Sequence, residues 1–175
     1  YSKNPLGHVT TMIWDELLKK PKKVTSLKKG FLNRKTYTYD KYGYVSKIVE
    51  EGTNTNTKTS HVEYDRSPKL FDKNILSRVK TSYLESENKI HNKVTNEYDE
   101  IGNLLQTSTH KNVTKYKYDQ NNNVKTITDG NGNVTSIEYA NNILPSKTTV
   151  KDVNFVFETG YHPNLLLKKY EIDIN

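Results

Sequence analysis

Acidic side chains recur at equivalent places in this sequence and are the first candidates for chemistry. Asp40, Asp99 and Asp119 each follow a tyrosine and precede a glycine or asparagine by three residues. Two carboxylates about 5–10 Å apart could catalyse glycoside hydrolysis. Aspartate also starts turns by bonding its own backbone, so a repeated turn produces rows of aspartates without catalysis. No Gly-x-Ser-x-Gly or phosphate-loop pattern is present, and we therefore predict no catalytic residue and no enzymatic activity.

The oxygen-rich segment 129–133 resembles the start of a calcium-binding loop. It reads Asp-Gly-Asn-Gly-Asn, but the positions where an EF-hand needs glycine and glutamate hold Val134 and Ala140. The five histidines are scattered without metal-ligand spacing. The pattern therefore predicts a turn between strands, no metal site and no cofactor.

Basic residues are concentrated in one segment. The chain has 27 Lys and Arg against 20 Asp and Glu, a net charge of +7, and no acidic residue lies between Glu16 and Asp40. The basic residues are Lys19, Lys20, Lys22, Lys23, Lys28, Lys29, Arg34 and Lys35. Phe31 is the only aromatic residue among them, so nucleic acid is not an expected partner. Two interpretations remain: a site for an anionic surface polymer or membrane surface, and a solvated edge strand whose lysines oppose aggregation.

Composition favours β-structure. Threonine occurs 20 times, tyrosine 13 times and valine 13 times, whereas alanine, the best helix former, occurs once. The absence of cysteine excludes disulfides and thiolate metal sites. No run of about 18 apolar residues exists, so no transmembrane helix is predicted. Because the chain starts at Tyr1 rather than methionine, we expect it to be a fragment of a larger protein.

A tyrosine-based repeat extends along the chain. Three copies read Tyr-Asp-x-x-Gly/Asn-x-apolar, and a degenerate copy opens the poorly defined stretch 64–97. Two half-units begin at Gly7 and Gly132, and each has an aromatic residue seven positions later. The residues assigned to the repeat are Tyr37, Tyr39, Asp40, Gly43, Tyr64, Asp65, Tyr98, Asp99, Gly102, Tyr116, Tyr118, Asp119, Asn122, Gly132 and Tyr139.

Each unit has the chemistry of a β-hairpin. Tyrosines two positions apart share one face of a strand, and the aspartate then starts a turn. Gly43, Gly102 or Asn122 falls where the turn needs a positive φ angle. The tyrosine rings either pack across neighbouring strands as ladders or stay exposed and stack on sugars. A helix competes at 11–20, but the match to the Gly132 half-unit favours a strand that ends at Trp14-Asp15.

The predicted fold is all-β: an antiparallel repeat sheet of about 11–14 short strands and hairpins. Residues 1–175 are predicted to form a single repeat region.

These units resemble the YD (Rhs) repeat family. The resemblance rests on the Tyr-Asp copies, on the half-units Pro-Leu-Gly-His-Val-Thr and Asp-Gly-Asn-Gly-Asn-Val-Thr, and on residues 159–166, which are similar to a Tyr-x-Pro-x-x-Leu-Leu variant. The family includes bacterial Rhs and wall-associated polymorphic toxins, shell subunits of insecticidal toxin complexes, and teneurins. The resemblance implies a long β-sheet that spirals into a shell around a toxic domain or the chain's own end. The family's Asp-Pro-x-Gly cleavage site is absent, so no autoprotease residue is carried over.

The resemblance implies a structural role. We expect a shell segment of a secreted or surface protein of bacteria, whose partner is the remainder of its own polypeptide or a toxin cargo. The alternative is a module that binds carbohydrate or an anionic surface polymer through exposed tyrosines and the basic segment 19–35.

Overall fold

The computed structural model describes residues 1–151, 155–162 and 167–174. Within these ranges the chain forms fifteen antiparallel strands that follow one another in sequence order, and one short helix. It divides into two compact units, Tyr1–Thr95 and Asn96–Asn175. The all-β repeat sheet predicted from the tyrosine units is confirmed.

The first unit contains β1 (Ser2–Lys3), β2 (Val9–Asp15), β3 (Lys20–Lys28), β4 (Phe31–Tyr39), β5 (Val45–Gly52), β6 (Thr55–Tyr64), α1 (Pro68–Phe71), β7 (Val79–Ser86) and most of β8 (Lys89–Tyr98). The second unit contains β9 (Leu104–Ser108), β10 (Val113–Tyr118), β11 (Val124–Thr128), β12 (Val134–Ala140), β13 (Leu144–Val150), β14 (Phe155–Tyr161) and β15 (Lys168–Ile174).

The predicted strand number of 11–14 is too low, because polar segments form full strands. Residues 55–64, which include three threonines, make the ten-residue β6, which is paired with β5 on one side and β7 on the other. Ladder hydrogen bonds on both sides hold this strand despite its lack of an apolar stripe. The helix alternative at 11–20 is also wrong: β2 ends at Asp15, where the half-unit match places the end, residues 16–19 form a turn, and β3 begins at Lys20.

Apolar side chains form almost no closed core. Leu70 is fully buried and Tyr98 is 8% exposed, and these are the only buried apolar side chains in the described ranges. On β10 the side chains alternate instead, with Val113, Lys115 and Lys117 exposed and the tyrosines between them half-buried. Alternation of this kind is typical of a sheet with one wetter face.

Six strands that end at the aromatic position of the repeat form a β-bulge with the strand that follows them in the sequence. The pairing register shifts at Trp14, Tyr39, Tyr64, Tyr118, Tyr139 and Tyr161. In each case the following strand carries one extra residue: Lys22, Ser46, Lys80, Lys125, Ser146 or Lys169. A bulge bends the strand and disrupts the local ladder, so nearby carbonyls need other donors.

The degenerate stretch 64–97 contains an insertion at its turn. Asp65 donates its N–H to the Arg78 carbonyl at 2.7 Å, and its Oδ1 accepts the Ser67 N–H at 2.8 Å. The turn therefore still starts at the aspartate, but the twelve residues 66–77, which include α1, stand where the Asp40 turn has only residues 41–43.

Candidate functional site: the repeated tyrosine–aspartate turn

Asp40 organises the turn between β4 and β5 with one carboxylate oxygen. Its Oδ1 accepts the N–H groups of Tyr42 and Tyr44, each at 2.9 Å. Its backbone carbonyl accepts the Gly43 N–H at 2.9 Å, and its own N–H is donated to the Tyr44 carbonyl at 2.8 Å. The turn's backbone donors converge on one side chain, which gives a physical reason for an aspartate directly after the tyrosine.

The same arrangement closes three turns of the second unit. Asp99, Asp119 and Asp129 each accept, at Oδ1, the N–H groups of the residues two and four positions later, over 2.8–3.0 Å. Each backbone carbonyl accepts the N–H three positions later, at 3.1–3.3 Å. Asp129, in the calcium-like segment, is thus a turn residue whose oxygens face N–H donors. No group of three or more metal-ligating side chains occurs in the ranges that the structure describes.

An asparagine four residues after the aspartate completes these three turns. Asn103, Asn123 and Asn133 donate their side-chain amides to Oδ2 of Asp99, Asp119 and Asp129, at 3.0, 3.1 and 2.8 Å. The amide is the main cause that holds the pKa values of Asp119 and Asp129 below the usual 3.8, and backbone N–H donors add to it. This asparagine was not predicted, although its recurrence at a fixed distance is readable in the sequence.

A further turn uses asparagine in place of aspartate. Oδ1 of Asn4 accepts the N–H groups of Leu6 and His8 at 3.1 and 3.0 Å, and its carbonyl accepts that of Gly7 at 2.9 Å. Its Nδ2 lies 3.2 Å from Nδ1 of His8, so the amide donates and the imidazole nitrogen accepts. In these four turns a carboxylate at the first position pairs with an amide donor at the fifth, and an amide at the first position pairs with an imidazole acceptor.

The glycine or asparagine of each turn has the left-handed backbone conformation. Gly43, Gly102 and Gly132 have φ angles of 82°, 85° and 89°, and Asn122 has 65°. Glycine adopts this region without steric cost, and asparagine does so more readily than other residues. At Gly43 an added Cβ would also lie 3.4 Å from the Nζ atom of Lys20.

Asp40 is followed four residues later by tyrosine instead of asparagine, and an arginine from another segment supplies the missing donor. Arg66 donates through Nη2 to Oδ2 of Asp40 at 2.6 Å and through Nη1 to the Leu76 carbonyl. The two charged side chains are 24% and 23% exposed. Burial acts to raise the pKa of Asp40, but the hydrogen bonds from Tyr44, Arg66 and Tyr42 outweigh it and hold the pKa below 3.8.

Aromatic rings surround the Arg66 guanidinium. Its Cζ lies 4.8, 5.4 and 5.0 Å from the ring centroids of Tyr42, Tyr44 and Tyr64, within cation–π range. The rings of Tyr44 and Tyr64 are 5.1 Å apart, and Phe71 of α1 meets the ring of Tyr42 edge-on at 5.7 Å. Arg66 therefore fastens the inserted segment to the Asp40 turn.

The last tyrosine of a strand donates its hydroxyl to a main-chain carbonyl on the preceding strand. The five bonds run from Tyr39 to Pro21, Tyr64 to Val45, Tyr118 to Leu104, Tyr139 to Val124 and Tyr161 to Pro145, over 2.6–3.0 Å. Pro21, Val45, Val124 and Pro145 are also the residues that pair with the preceding aromatic residue at its bulge: Trp14, Tyr39, Tyr118 and Tyr139. Each of these hydroxyls thus ties its own strand to the bulge before it.

Burial raises the pKa values of Tyr39, Tyr64 and Tyr139 above 10.0. These hydroxyls therefore stay protonated and remain donors at neutral pH. A tyrosine that uses its hydroxyl in this way cannot offer the same proton to a sugar.

The other tyrosines of the repeat have different surroundings. Tyr37 and Tyr116 project from their strands opposite Ile48 and Ile127, respectively. Tyr98 is nearly buried.

Successive turns of the second unit are also linked to each other. The side-chain amide of Asn103 donates to Oδ1 of Asn122 at 3.3 Å, and that of Asn123 donates to the Asn142 carbonyl at 2.6 Å. Two of the three asparagines that complete the aspartate turns therefore also bond to a neighbouring turn. The same side chains therefore close one turn and link it to the next turn.

The basic segment lies on β3, β4 and the turns beside them. Both strands are paired on two sides, so the edge-strand interpretation is wrong: the polar segment is held inside the sheet by its ladder bonds. Lys20 donates to the Gly43 carbonyl and lies 5.7 Å from the Tyr39 ring centroid. Lys35 and Arg34 pair with Glu50 at 2.7 Å and Glu51 at 3.5 Å.

The other five basic residues of the segment do not converge on one place. Lys19 precedes β3, Lys22 and Lys23 lie near its start, and Lys28 and Lys29 lie at its far end. The nearest members of the two groups, Lys23 and Lys28, are five residues apart, or about 17 Å along a strand.

Residues 98–142 match the family model for the RHS repeat. The resemblance to YD (Rhs) repeats stated from the sequence is confirmed. No curated protein sequence matches the chain.

Three solved structures share the fold over most of the chain. The first is the Photorhabdus luminescens Tc holotoxin pore with a mutant TccC3, at 12% identity and a TM-score of 0.70 over 95% of this chain. The TcdB2-TccC3-Cdc42 and TcdB2-TccC3-TEV structures match at 12% and 13% identity, with TM-scores of 0.68 and 0.67 over 93% and 89% of this chain. In all three cases the match spans 9% of the other chain's length.

No helix in the part of the chain that the structure describes is long and apolar enough to cross a membrane.

Proposed function

We propose that this chain is a structural wall segment of an Rhs-type shell, with no catalytic role of its own. The wall would enclose or display another part of its own polypeptide or a toxin cargo. A secreted or cell-surface location in bacteria follows from this role.

The observation that carries the proposal is the repeated link between tyrosine hydroxyl, bulge carbonyl and aspartate turn. The same three-part connection recurs in both units, for example through Tyr64 in the first and Tyr139 in the second. Its donors and acceptors are used inside the sheet, which suits a wall and leaves few of them for a ligand. Similarity of fold to chains of toxin complexes supports the same role.

The polymer-binding alternative has less support. Lys20, Arg34 and Lys35 have partners within the first unit, and the remaining lysines of the segment are separated along β3. A polymer site needs several free cations at contact distance from one another.

Protection of a cargo tests the proposal. In the complete polypeptide that contains this chain, the region beyond it should resist added protease, because a closed wall excludes the enzyme. The double substitution Tyr64→Ala and Tyr139→Ala should make that region cleavable, whereas Tyr37→Phe should leave it protected. Protection that persists when residues 1–175 are deleted would refute the wall role.

Binding measurements give a second readout. The isolated chain should not bind glycans or anionic polymers at micromolar concentration. Micromolar binding to a glycan that a single Tyr→Ala substitution abolishes would favour the binding module instead.

A further inference from the structure

The surroundings of the Arg66 guanidinium have the chemistry of a cation-binding site. Three tyrosine rings lie 4.8–5.4 Å from its Cζ atom, and Oδ2 of Asp40 accepts its Nη2 at 2.6 Å. Aromatic rings attract organic cations through their negative faces, and a carboxylate adds to the attraction. The four residues Tyr42, Tyr44, Tyr64 and Asp40 are called the tyrosine cage below.

The rings of the tyrosine cage are held by contacts that do not involve Arg66. The Tyr64 hydroxyl donates to the Val45 carbonyl at 3.0 Å, and the Tyr44 ring packs against the Tyr64 ring at 5.1 Å. The Tyr42 ring meets the Phe71 ring edge-on at 5.7 Å. A site whose walls are fixed beforehand loses little conformational entropy when a ligand binds.

The carboxylate of the cage keeps one oxygen for the cation. Oδ1 of Asp40 accepts the N–H groups of Tyr42 and Tyr44, whereas Oδ2 accepts Arg66. In the Asp129 turn the side-chain amide of Asn133 bonds to the corresponding Oδ2. The residue at that position of the Asp40 turn is Tyr44, so Oδ2 of Asp40 accepts a donor from outside the turn.

An open cavity of about 540 Å³ beside Arg66 gives access to the cage. Its lining includes Asp40, Glu63, Tyr64, Asp65, Arg66 and Lys80. These residues lie from the end of β4 to the start of β7, inside the first unit. When the guanidinium is removed, three carboxylates and one lysine remain among these charged lining residues, so the cavity attracts cations.

The hydrogen-bond acceptors select a guanidinium group among organic cations. Arg66 donates through Nη2 to Asp40 and through Nη1 to the Leu76 carbonyl, while its plane lies among the rings. A guanidinium carries N–H donors around its edge and leaves both faces free for aromatic rings. A tetraalkylammonium ion has no N–H donor, so it can use the rings but not these two acceptors.

We propose that the tyrosine cage is a binding site for a guanidinium group, with Arg66 as its tethered ligand. When Arg66 is removed, the cage binds an external guanidinium group, from a free ion or from the arginine side chain of another polypeptide. The bound group then holds the insertion 66–77 closed, because the Leu76 carbonyl is one of its acceptors. In the parent the tethered Arg66 excludes weak competitors, since its effective concentration is on the millimolar scale or above. This site goes beyond the proposed wall role and does not depend on it.

Chemical rescue of Arg66→Ala in the whole 175-residue chain tests the proposal. Amide hydrogen exchange of residues 67–77 is measured with guanidinium chloride and with sodium chloride at equal ionic strength. A site with a dissociation constant of about 5 mM would slow this exchange about fivefold at about 20 mM guanidinium. The parent, in which Arg66 fills the cage, should show no slowing. If Arg66→Ala does not fold, Arg66→Ser, which also empties the cage, replaces it.

Matched variants separate the cage from general salt effects. Arg66→Ala combined with Tyr44→Leu or with Asp40→Asn should lose the response, because one variant lacks a ring and the other lacks the charge. Asn133→Ala removes the donor to Oδ2 of Asp129 in a turn that contains no aromatic residue. Exchange at that turn should therefore not respond to guanidinium. Tetramethylammonium should slow exchange of the insertion in Arg66→Ala much less than guanidinium does.

N-acetylarginine amide identifies the source of the guanidinium group. Slowing by this compound and by free guanidinium assigns the cage to arginine side chains, and slowing by free guanidinium alone assigns it to the small ion. Three results would each overturn the proposal: no slowing by either compound, an equal effect of tetramethylammonium, or a response that persists in both double variants.

Discussion

The bond from the Tyr39 hydroxyl to the Pro21 carbonyl can be removed with a single atom. Tyr39→Phe deletes the 2.6 Å hydrogen bond and keeps the ring in place. Tyr37→Phe on the same strand is the matched control, because the Tyr37 hydroxyl has no hydrogen-bond partner in the described ranges. Both rings are half-buried, so the apolar contribution of the two substitutions is comparable.

The expected loss can be worked from the geometry. A neutral intramolecular hydrogen bond contributes about 1 kcal/mol net, and the Pro21 carbonyl at a bulge has few alternative donors. Tyr39→Phe should therefore lower the free energy of unfolding by about 1 kcal/mol, or about 3 °C in Tm for a chain of this length. Tyr37→Phe should change it by less than about 0.5 kcal/mol.

Urea unfolding measures the difference, with two probes. The fluorescence of Trp14, the only tryptophan, reports on the first unit, and far-UV circular dichroism reports on the whole chain. The m-value should stay constant, so the effect appears as a lower midpoint. If Tyr39→Phe costs no more than Tyr37→Phe, the tyrosine hydroxyl does not stabilise the bulge.

Three other outcomes follow from the turns. Asp129→Asn should lower Tm because two amide groups then face each other, and adding Asn133→Asp should recover part of the loss. Thermal melts of the two single variants and the double variant measure this, and additive losses would contradict the pairing. Arg66→Ala should cost about 2 kcal/mol in urea unfolding and speed hydrogen exchange in residues 67–77, whereas Arg66→Lys should restore little of it; unchanged exchange would show that the insertion is held otherwise. Because the pKa of Asp40 is lowered in the folded state, its contribution to stability is present above about pH 4 and is lost as pH falls through the folded pKa. The urea midpoints of the parent and Asp40→Asn should therefore converge at acid pH, and a constant difference would contradict this.

The local chemistry of the turns was predictable from sequence because all of it lies within five residues. Asp40 and Gly43 are three residues apart and lie in the same turn, so residue type alone indicates the hydrogen bonds and the positive φ angle. The antiparallel hairpins follow from the same local signals. The asparagine at the fifth position, such as Asn133, was equally local and could have been found from its spacing.

The long-range partners were not predictable in the same way. The acceptor of the Tyr39 hydroxyl is a carbonyl 18 residues earlier, and it is in reach only because a bulge shifts the pairing register. The Arg66 donor to Asp40 lies 26 residues away in an insertion that the repeat does not encode. The prediction that the basic segment is an edge strand was wrong for a related reason. Which strands lie beside it depends on strand pairing, which the charges of Lys22 and Lys23 do not specify.

The five tyrosine hydroxyls that hold the bulges all donate to main-chain atoms, and this has a consequence for how such a sequence can diverge. Proline, valine and leucine serve equally well at the accepting position, because only the carbonyl is used. A mutation on one strand therefore does not require a compensating mutation on its neighbour, and correlated substitutions between those positions should be weak. Whole units can then be duplicated, lengthened or interrupted, as the insertion after Asp65 illustrates, provided that the tyrosine and its following turn are copied together.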